Sequence, residues 1–171
     1  YREAVQRLYP SLADNPDYTA IINVRQLTRL QDYLDDARTK GAHVVPLFAE
    51  AQQRRMPHCL LLNTTDDMRV MQEEIFGPLL PIVPYADLDE ALAYINARPR
   101  PLALYYFGYD RGEQQRVLQT THSGGVCLND SLLHVAQDDL PFGGIGPSGM
   151  GHYHGHEGCL TFSKAKGVFI N

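Results

Sequence analysis

The 171-residue sequence lacks the features that mark several classes of protein. Cys59, Cys127 and Cys159 are an odd number of cysteines without C-x-x-C spacing, so a disulfide framework is not expected and a reducing compartment is favoured. No apolar stretch approaches the length of a membrane span, and the first residues have neither the basic start nor the apolar run of a secretion signal. We therefore expect a cytoplasmic protein, or a piece of one, without a membrane partner.

Blocks of like charge, internal repeats and low-complexity tracts are also absent. The formal net charge is −5, and lysine and arginine are scattered along the chain, so no positively charged patch for nucleic acid is expected. With 44% hydrophobic and 20% charged residues, the composition is that of an ordinary globular protein. A chain of this length can bury a real core, and one domain is the simplest interpretation.

Segments typical of helices and strands alternate in the first half of the chain. A short helix is predicted through Leu8, then the polar loop SLADNPD, a strand over residues 18–24 (YTAIINV), and a helix that Asn23 caps and Gly41 ends. An apolar stripe predicts that this helix packs on a sheet; its residues are Leu27, Leu30, Leu34 and Ala37. HVVPLF and HCLLLN predict two strands joined through the polar stretch EAQQRRMP, as a hairpin or a long turn.

The second half repeats the pattern at regular lengths. LLPIVPY predicts a strand that its two prolines make irregular or place at an edge. Asp87 and Asp110 each stand three residues before a glutamate, which predicts two capped helices, while LALYYFGY and SGGVCLND predict strands, the first covered on both faces. The predicted fold is therefore α/β, a largely parallel sheet with helices on both faces, and functional residues are expected at the carboxyl ends of strands.

A Gly-Pro turn within QEEIFGPLLPIVPY is the first candidate site. Glycine and proline make a sharp bend, so side chains directly before it are held rigidly. The Glu74 carboxylate has the chemistry to accept hydrogen bonds from both hydroxyls of a ribose, and the Phe76 ring can lie against a flat aromatic or nicotinamide face. From these residues alone, the alternative is that Glu73 and Glu74 are solvated acids and that Phe76 is a core residue.

The glycine-rich segment near the C-terminus matches G-x-G-x-x-G formally, at Gly144, Gly146 and Gly149. We reject the dinucleotide-binding interpretation because PFGG precedes the segment instead of a strand, and because MGHYHGHEG has too many glycines to start a stable helix. The histidines of HYHGH alternate, which on a strand would place three imidazoles on one face. Since no acidic or thiol ligand stands at a typical zinc spacing, no metal site is predicted.

Two motifs together resemble one enzyme superfamily. EEIFGP followed by LLPIVPY, and LPFGGIGPSGMGHYHGHEGCLTFSKAKGV, resemble the C-terminal part of the catalytic domain of NAD(P)-dependent aldehyde dehydrogenases, and most of all the dimeric class 3 and coniferyl aldehyde dehydrogenase branch. The resemblance implies that residues 1–171 are the C-terminal portion of that domain. It also implies two partners, the N-terminal coenzyme-binding domain of the same protein and, through residues 161–171 as an oligomerisation strand, a second copy in a homodimer.

The resemblance assigns roles to individual residues. It implies that Glu74 holds the nicotinamide ribose of NAD or NADP, that Phe76 packs beside the nicotinamide, and that Phe142 faces the aldehyde tunnel in a loop that closes the catalytic funnel. His154, in the YHG step of class 3 relatives, is implied to line the pocket and not to act as a general base. Without the resemblance, the glycine-rich loop would be interpreted as a flexible surface loop.

The family's nucleophile is missing from this chain. Aldehyde dehydrogenases attack the carbonyl with a cysteine thiolate, pass hydride to NAD(P), and hydrolyse the thioester with a glutamate-activated water. The resemblance places that cysteine in a G-Q-x-C loop upstream of the matched segment, and no such sequence occurs here. Cys127 lies within a predicted strand with no adjacent histidine or lysine, so we expect a small buried residue there and assign no catalytic residue.

The prediction is a parent enzyme that oxidises an aldehyde, of an aromatic, coniferyl type, to a carboxylic acid, and a fragment that is inactive alone. The alternative is a non-catalytic binding or structural protein on the same scaffold. Acylating dehydrogenases and phosphate-forming reductases share the scaffold, and these residues do not separate them from the first prediction.

Overall fold

The structure is a computed structural model that describes residues 1–12, 15–49 and 53–171. The chain divides into two compact units, Tyr1–Pro84 and Tyr85–Asn171. Within the described ranges, no helix is both long and apolar enough to cross a membrane. Parts of the predicted loops SLADNPD and EAQQRRMP lie outside the described residues.

The first unit combines helices with a three-stranded sheet. Its elements are α1 Arg2–Leu8, α2 Val24–Thr39, β1 His43–Pro46, β2 Cys59–Leu62, α3 Arg69–Gln72 and β3 Leu79–Pro81. Strand β2 lies in the middle of the sheet, antiparallel to β1 and parallel to β3. The predicted hairpin is confirmed, and the strand predicted after the Gly-Pro turn exists but is only three residues long.

Helix α2 begins and ends as the sequence predicts. The Asn23 Oδ1 atom accepts a hydrogen bond from the Gln26 N–H at 2.9 Å, and Gly41, with φ of +96°, follows the last turn in the left-handed region. One face of α2 packs on the sheet and forms the core of the unit, whose buried residues are Leu30, Tyr33, Leu34, Ala37, Ala42, Met56, Cys59, Leu61, Met68, Val70 and Leu79. Tyr33 is completely buried although the predicted stripe omits it.

The strand predicted over residues 18–24 is wrong. The Ile21 N–H donates to the Arg54 carbonyl at 2.9 Å, but the chain there is irregular, and Ile22 and Val24 are 79% and 66% exposed. Strand propensity does not decide the structure here, because a strand also needs a neighbour to pair with and Asn23 turns the chain into α2.

The second unit places helices beside a parallel pair of strands. Its elements are α4 Leu88–Asn96, β4 Ala103–Tyr106, α5 Arg111–Thr120, β5 Gly125–Leu128, α6 Leu133–Ala136, a 3₁₀ helix Gly146–Ser148 and α7 Gly155–Thr161. Strands β4 and β5 pair in parallel, and α5 forms the crossover between them. Together with the β2–β3 pairing, this confirms the predicted α/β class with parallel strand pairs.

Both predicted aspartate caps in the second unit are confirmed. Asp87 and Asp110 each accept a hydrogen bond from the main-chain N–H three residues on, at 2.9 Å. The N–H of Ala86, one residue before the Asp87 cap, donates a hydrogen bond to the Glu90 carboxylate. Strand β4 is less covered than predicted, since Tyr105 is 38% exposed in this chain.

The glycine-rich segment forms more helix than the sequence indicates. Phe142 and Tyr153 form an antiparallel bridge across it, and α7 then begins at Gly155. The prediction that its glycines prevent a helix is wrong, and because His156 lies in α7, the HYHGH histidines do not alternate along one strand. Residues 164–171 are exposed and form no strand in this chain. The oligomerisation strand stays a prediction, because its partner would be another subunit.

Candidate functional site

The Gly-Pro turn presents Phe76 to solvent in an unusual backbone conformation. Helix α3 ends at Gln72, Glu73 is extended, and Phe76 has a φ of +47°, in the left-handed region that bulky residues avoid. The Phe76 ring is 77% exposed, and Glu74 is also exposed. Within this unit, Phe76 is therefore not a core residue.

A hollow of about 670 Å³ lies beside the Phe76 ring, within the range of small-molecule sites. Its largely apolar lining consists of Thr19, Ala20, Ile21, Ile22, Asn23, Gln26 and Phe76. The irregular segment over residues 18–24 thus forms one wall, and the start of α2 continues it. Such a hollow suits the flat face of a ring.

Helix α2 holds the main chain of the turn. Arg29 donates hydrogen bonds to the carbonyl of Glu74 at 3.0 Å and to the carbonyl of Ile75 at 2.5 Å. On the other side of Phe76, a Cβ atom added to Gly77 would come within 2.5 Å of a methyl carbon of Leu30. The turn is therefore fixed by α2 both before and after the exposed ring.

A buried tyrosine links the turn to α3. The Tyr33 hydroxyl donates to a Glu73 carboxylate oxygen at 2.7 Å and accepts from Arg29 at 2.5 Å. Burial, and then the hydrogen bond to Glu73, raise the pKa of Tyr33, and the hydrogen bond from Tyr33 chiefly lowers the pKa of Glu73. Since Arg69 also pairs with Glu73 at 3.3 Å, both carboxylate oxygens of Glu73 have partners within the protein, and Glu74 is exposed beside it.

The second candidate site is an aromatic cluster in the second unit. The Phe142 ring stacks on His154, with centroids 5.9 Å apart and 25° between the planes. Tyr153 meets both rings edge-on, at 5.9 Å from Phe142 and 4.5 Å from His154, and main-chain hydrogen bonds of 2.8 and 3.0 Å join it to Phe142. The structure thus brings together the two residues that the resemblance assigns to the substrate pocket. Their role in binding stays a prediction.

Sequence reasoning misses His134, which joins this cluster. Its ring centroid lies 6.2 Å from Phe142 and 5.9 Å from Tyr105, and the residue is only 7% exposed. Its Nδ1 atom lies 3.2 Å from Cys127 Sγ, and its main-chain N–H donates to the same sulfur at 3.4 Å. Cys127 is buried as predicted, and the fold places beside it a histidine that is not adjacent to it in the sequence.

A reversal of the chain after β5 brings these two residues together. Asn129 and Leu132 have φ values of +58° and +65°, and the Asn129 side chain is hydrogen-bonded to the main chain of Gly108. Asparagine is one of the few residues that adopt left-handed angles readily, so Asn129 was the available sequence signal for this reversal. Gly125 leaves room for the imidazole, because a Cβ atom there would lie 2.4 Å from His134 Cδ2.

Two imidazole nitrogens near Phe142 are buried without a hydrogen-bond partner in the described part of the chain. They are Nε2 of His134 and Nδ1 of His154. Buried polar atoms are normally hydrogen-bonded. These two nitrogens are thus exceptions to that rule within the described residues.

The glycine-rich loop surrounds a further hollow of about 410 Å³. Its segments approach closely: a Cβ atom on Gly143 would come within 2.1 Å of the Gly151 carbonyl oxygen. At its rim, His152 Nε2 lies 2.9 Å from a Glu157 carboxylate oxygen. Among residues 1–12, 15–49 and 53–171, no group of three or more His, Cys, Asp or Glu side chains could hold a metal ion.

Comparison with known proteins relates both candidate sites to one protein family. Residues 2–168 match the model of the aldehyde dehydrogenase family. Over 169 residues, the chain is 78% identical to the probable coniferyl aldehyde dehydrogenase of Pseudomonas aeruginosa, a match that covers 99% of this chain and 36% of that protein. The resemblance to the family and to its coniferyl branch is confirmed.

Solved structures agree in fold. The substrate-bound state of Staphylococcus aureus AldH matches with a TM-score of 0.83 and 38% identity, over 99% of this chain and 38% of that chain. The NAD+ complex of an aldehyde dehydrogenase from Bacillus cereus matches with a TM-score of 0.80 and 25% identity, over 89% of this chain and 31% of that chain. The chain thus spans about a third of the length of the relatives it matches, and it belongs to the aldehyde dehydrogenase family.

Proposed function

We propose that this chain is the C-terminal part of the catalytic domain of an NAD(P)-dependent aldehyde dehydrogenase that oxidises an aromatic aldehyde of coniferyl type to a carboxylic acid. The observation that carries the proposal is the exposed Phe76 ring, held in a left-handed conformation beside an apolar hollow, with Glu74 two residues before it. The identity to a probable coniferyl aldehyde dehydrogenase supports the substrate class, and the NAD+ complex of the Bacillus cereus relative supports the coenzyme.

The first unit offers groups that fit the nicotinamide riboside end of the coenzyme. When bound, the coenzyme supplies the acceptor for the hydride that leaves the substrate. The exposed Glu74 carboxylate accepts hydrogen bonds from ribose hydroxyls, because an ionised carboxylate is an acceptor with room for two donors. Phe76 gives the nicotinamide an aromatic face, and the apolar wall around residues 18–24 limits water on that side.

The second unit offers groups that fit an aromatic aldehyde. Phe142 and Tyr153 provide ring faces and edges for an aromatic substrate. His154, stacked on Phe142, adds another ring to this cluster, and its buried Nδ1 atom has no partner in the described chain. Phe142 thus shapes the aldehyde site and His154 lines it.

The nucleophile of the proposed reaction belongs to the longer protein. Cys127 is a poor substitute, since it is buried and its sulfur is engaged by His134. We therefore expect the 171-residue chain alone to be inactive, and activity to need the N-terminal coenzyme-binding domain of the same protein. The proposal also includes a homodimer, to which residues 161–171 contribute a strand, and a cytoplasmic location, which the three free cysteines support.

Steady-state kinetics on the full-length protein that contains this chain test the proposal. NADH or NADPH formation is measured with coniferyl aldehyde and with an aliphatic aldehyde of similar size. Glu74→Gln is expected to raise the coenzyme KM about tenfold, because a hydrogen bond to a charged carboxylate is replaced by a weaker hydrogen bond to a neutral amide. Phe142→Ala is expected to raise the KM for coniferyl aldehyde more than the KM for the aliphatic aldehyde.

The control is Glu3→Gln, which changes an exposed acid on α1. An unchanged coenzyme KM in Glu74→Gln, or no oxidation of any aldehyde by the full-length protein, would contradict the proposal. Turnover by the purified 171-residue chain would show that the predicted inactivity of the chain alone is wrong.

A further inference from the structure

We propose that Arg29 is a positioning residue for the coenzyme site: it holds two successive carbonyl groups so that Phe76 keeps its left-handed conformation and its ring faces the hollow. The inference rests on the proposed function, because it concerns the same site. In this inference Arg29 does not itself bind the coenzyme. It acts only through the main chain of the turn.

The Phe76 conformation needs an external cause. A phenylalanine at φ of +47° is strained, because its Cβ atom crowds the neighbouring main chain. Such conformations persist only where the surrounding structure holds them, and they concentrate at functional sites. Packing of the ring cannot stabilise this conformation, because the ring is 77% exposed. The stabilisation must therefore come from groups that contact the main chain on either side of the ring.

Arg29 binds the main chain on the N-terminal side of Phe76. One terminal nitrogen donates to the Glu74 carbonyl at 3.0 Å, and the other donates to the Ile75 carbonyl at 2.5 Å. Because both nitrogens belong to one planar guanidinium group, the two peptide planes are fixed relative to each other. A lysine, with a single nitrogen, cannot reproduce this fork.

Arg29 is itself fixed by α2. Its Nε atom donates to Gln26 Oε1 at 2.8 Å, one terminal nitrogen donates to the Tyr33 hydroxyl at 2.5 Å, and the guanidinium carbon lies 4.8 Å from the centroid of the Tyr33 ring. Tyr33 is completely buried and bonded to Glu73. The Arg29 side chain therefore connects the turn to helix α2 and to the buried Tyr33 ring. Gln26, which bonds to Arg29, also lines the hollow.

The experiment uses the full-length protein and compares Arg29→Met and Arg29→Lys with the control Arg25→Met. Arg25 is exposed on the preceding turn of the same helix. Arg29→Met is expected to raise the KM for NAD+ about tenfold and to leave the KM for the aldehyde within about twofold, because the strained turn relaxes while the aromatic cluster is unchanged. Arg29→Lys is expected to give a rise of about threefold, and Arg25→Met none.

A structural role alone would change Tm without separating the two KM values. If Arg29→Met does not fold, Arg29→Lys and Tyr33→Phe carry the test; Tyr33→Phe removes only the hydroxyl shared by Arg29 and Glu73. A folded Arg29 variant with a wild-type KM for NAD+, or with both KM values raised in parallel, overturns the inference. Glu74→Gln separates this failure from failure of the proposed function: if it raises the coenzyme KM while the Arg29 variants do not, only the positioning role is wrong.

Discussion

The Nδ1 atom of His134 lies 3.2 Å from the Sγ atom of Cys127, and both residues are only 7% exposed. An imidazole beside a thiol is the arrangement that activates cysteine nucleophiles, so geometry alone would make this pair a candidate for catalysis. Burial favours a different role, since a nucleophile must reach its substrate. The sulfur also accepts the His134 N–H at 3.4 Å, which ties α6 to β5 beside Phe142.

Replacing the thiol separates these roles. We expect Cys127→Ser in the full-length protein to keep kcat within about twofold of wild type and to lower the free energy of unfolding by about 1 kcal/mol, because the hydroxyl keeps a bond to His134 but packs less well. Activity assays and urea unfolding measure the two effects. Cys159→Ser, at an exposed cysteine, is the control. A loss of most activity with unchanged unfolding would make Cys127 a catalytic residue.

The pH dependence of stability has a specific source in His58. The centroid of its ring lies 6.3 Å from the ring centroid of Tyr9 and 5.7 Å from that of Tyr18. Burial lowers the pKa of His58 from its ordinary value of 6.5. The unfolded chain therefore binds a proton more readily than the folded chain does. As pH falls through 6.5, folded-state stability must decrease, because protonation favours the unfolded state.

His58→Gln removes this titration. We expect the variant to lose less unfolding free energy than wild type between about pH 7.5 and about pH 5.5, measured by urea unfolding at each pH. His43→Gln, at an exposed histidine on β1, is the control and is expected to follow wild type. An identical pH slope in His58→Gln and wild type would show that His58 contributes nothing to it.

Local signals predicted local structure well. Asn23, Asp87 and Asp110 cap the helices that the sequence assigns to them, because a cap needs only a side-chain oxygen and an N–H three residues away. The strand over residues 18–24 failed because strand formation depends on a partner from elsewhere in the chain. Helix α7 was missed because glycine content lowers helix propensity without forbidding a single short helix whose surroundings support it.

The candidate site was predicted only in part, for a related reason. Glu74 and Phe76 stand in a recognisable motif, but Arg29 meets the Glu74 carbonyl across 45 residues and Tyr33 meets Glu73 across 40. No sequence periodicity encodes such contacts, because they depend on how α2 packs against the turn. His134 lies only seven residues from Cys127 and was still missed, since a left-handed reversal separates them.

Gly77 offers a direct test of the packing between α2 and the turn. A Cβ atom there would lie 2.5 and 2.6 Å from the two methyl carbons of Leu30, a completely buried side chain. We expect Gly77→Ala to lower the free energy of unfolding by roughly 1–3 kcal/mol, because Leu30 must leave its packed position. Thermal and urea unfolding measure the loss. Gly158→Ala, where the nearest atom would lie 3.7 Å from the added atom, should be neutral; equal stability of both variants would contradict the packing.

The C-terminal tail carries the prediction of a homodimer. Val168, Phe169 and Ile170 are 72%, 90% and 86% exposed in the single chain, which is unfavourable for three consecutive apolar residues unless another surface covers them. If a partner subunit pairs with this segment as a strand, a charge within it must weaken the assembly, because a buried carboxylate loses its hydration. We expect Phe169→Asp in the full-length protein to shift the mass measured by light scattering from dimer towards monomer.

The matched control is Met150→Asp, which places the same charge at a 99% exposed apolar residue outside the tail and should leave the mass unchanged. The coenzyme KM of the full-length protein, if it has the proposed activity, serves as a check on folding, since the tail does not line the hollow beside Phe76. A wild-type protein that stays monomeric at high concentration, or a Phe169→Asp variant that remains fully dimeric, would remove the tail from the interface.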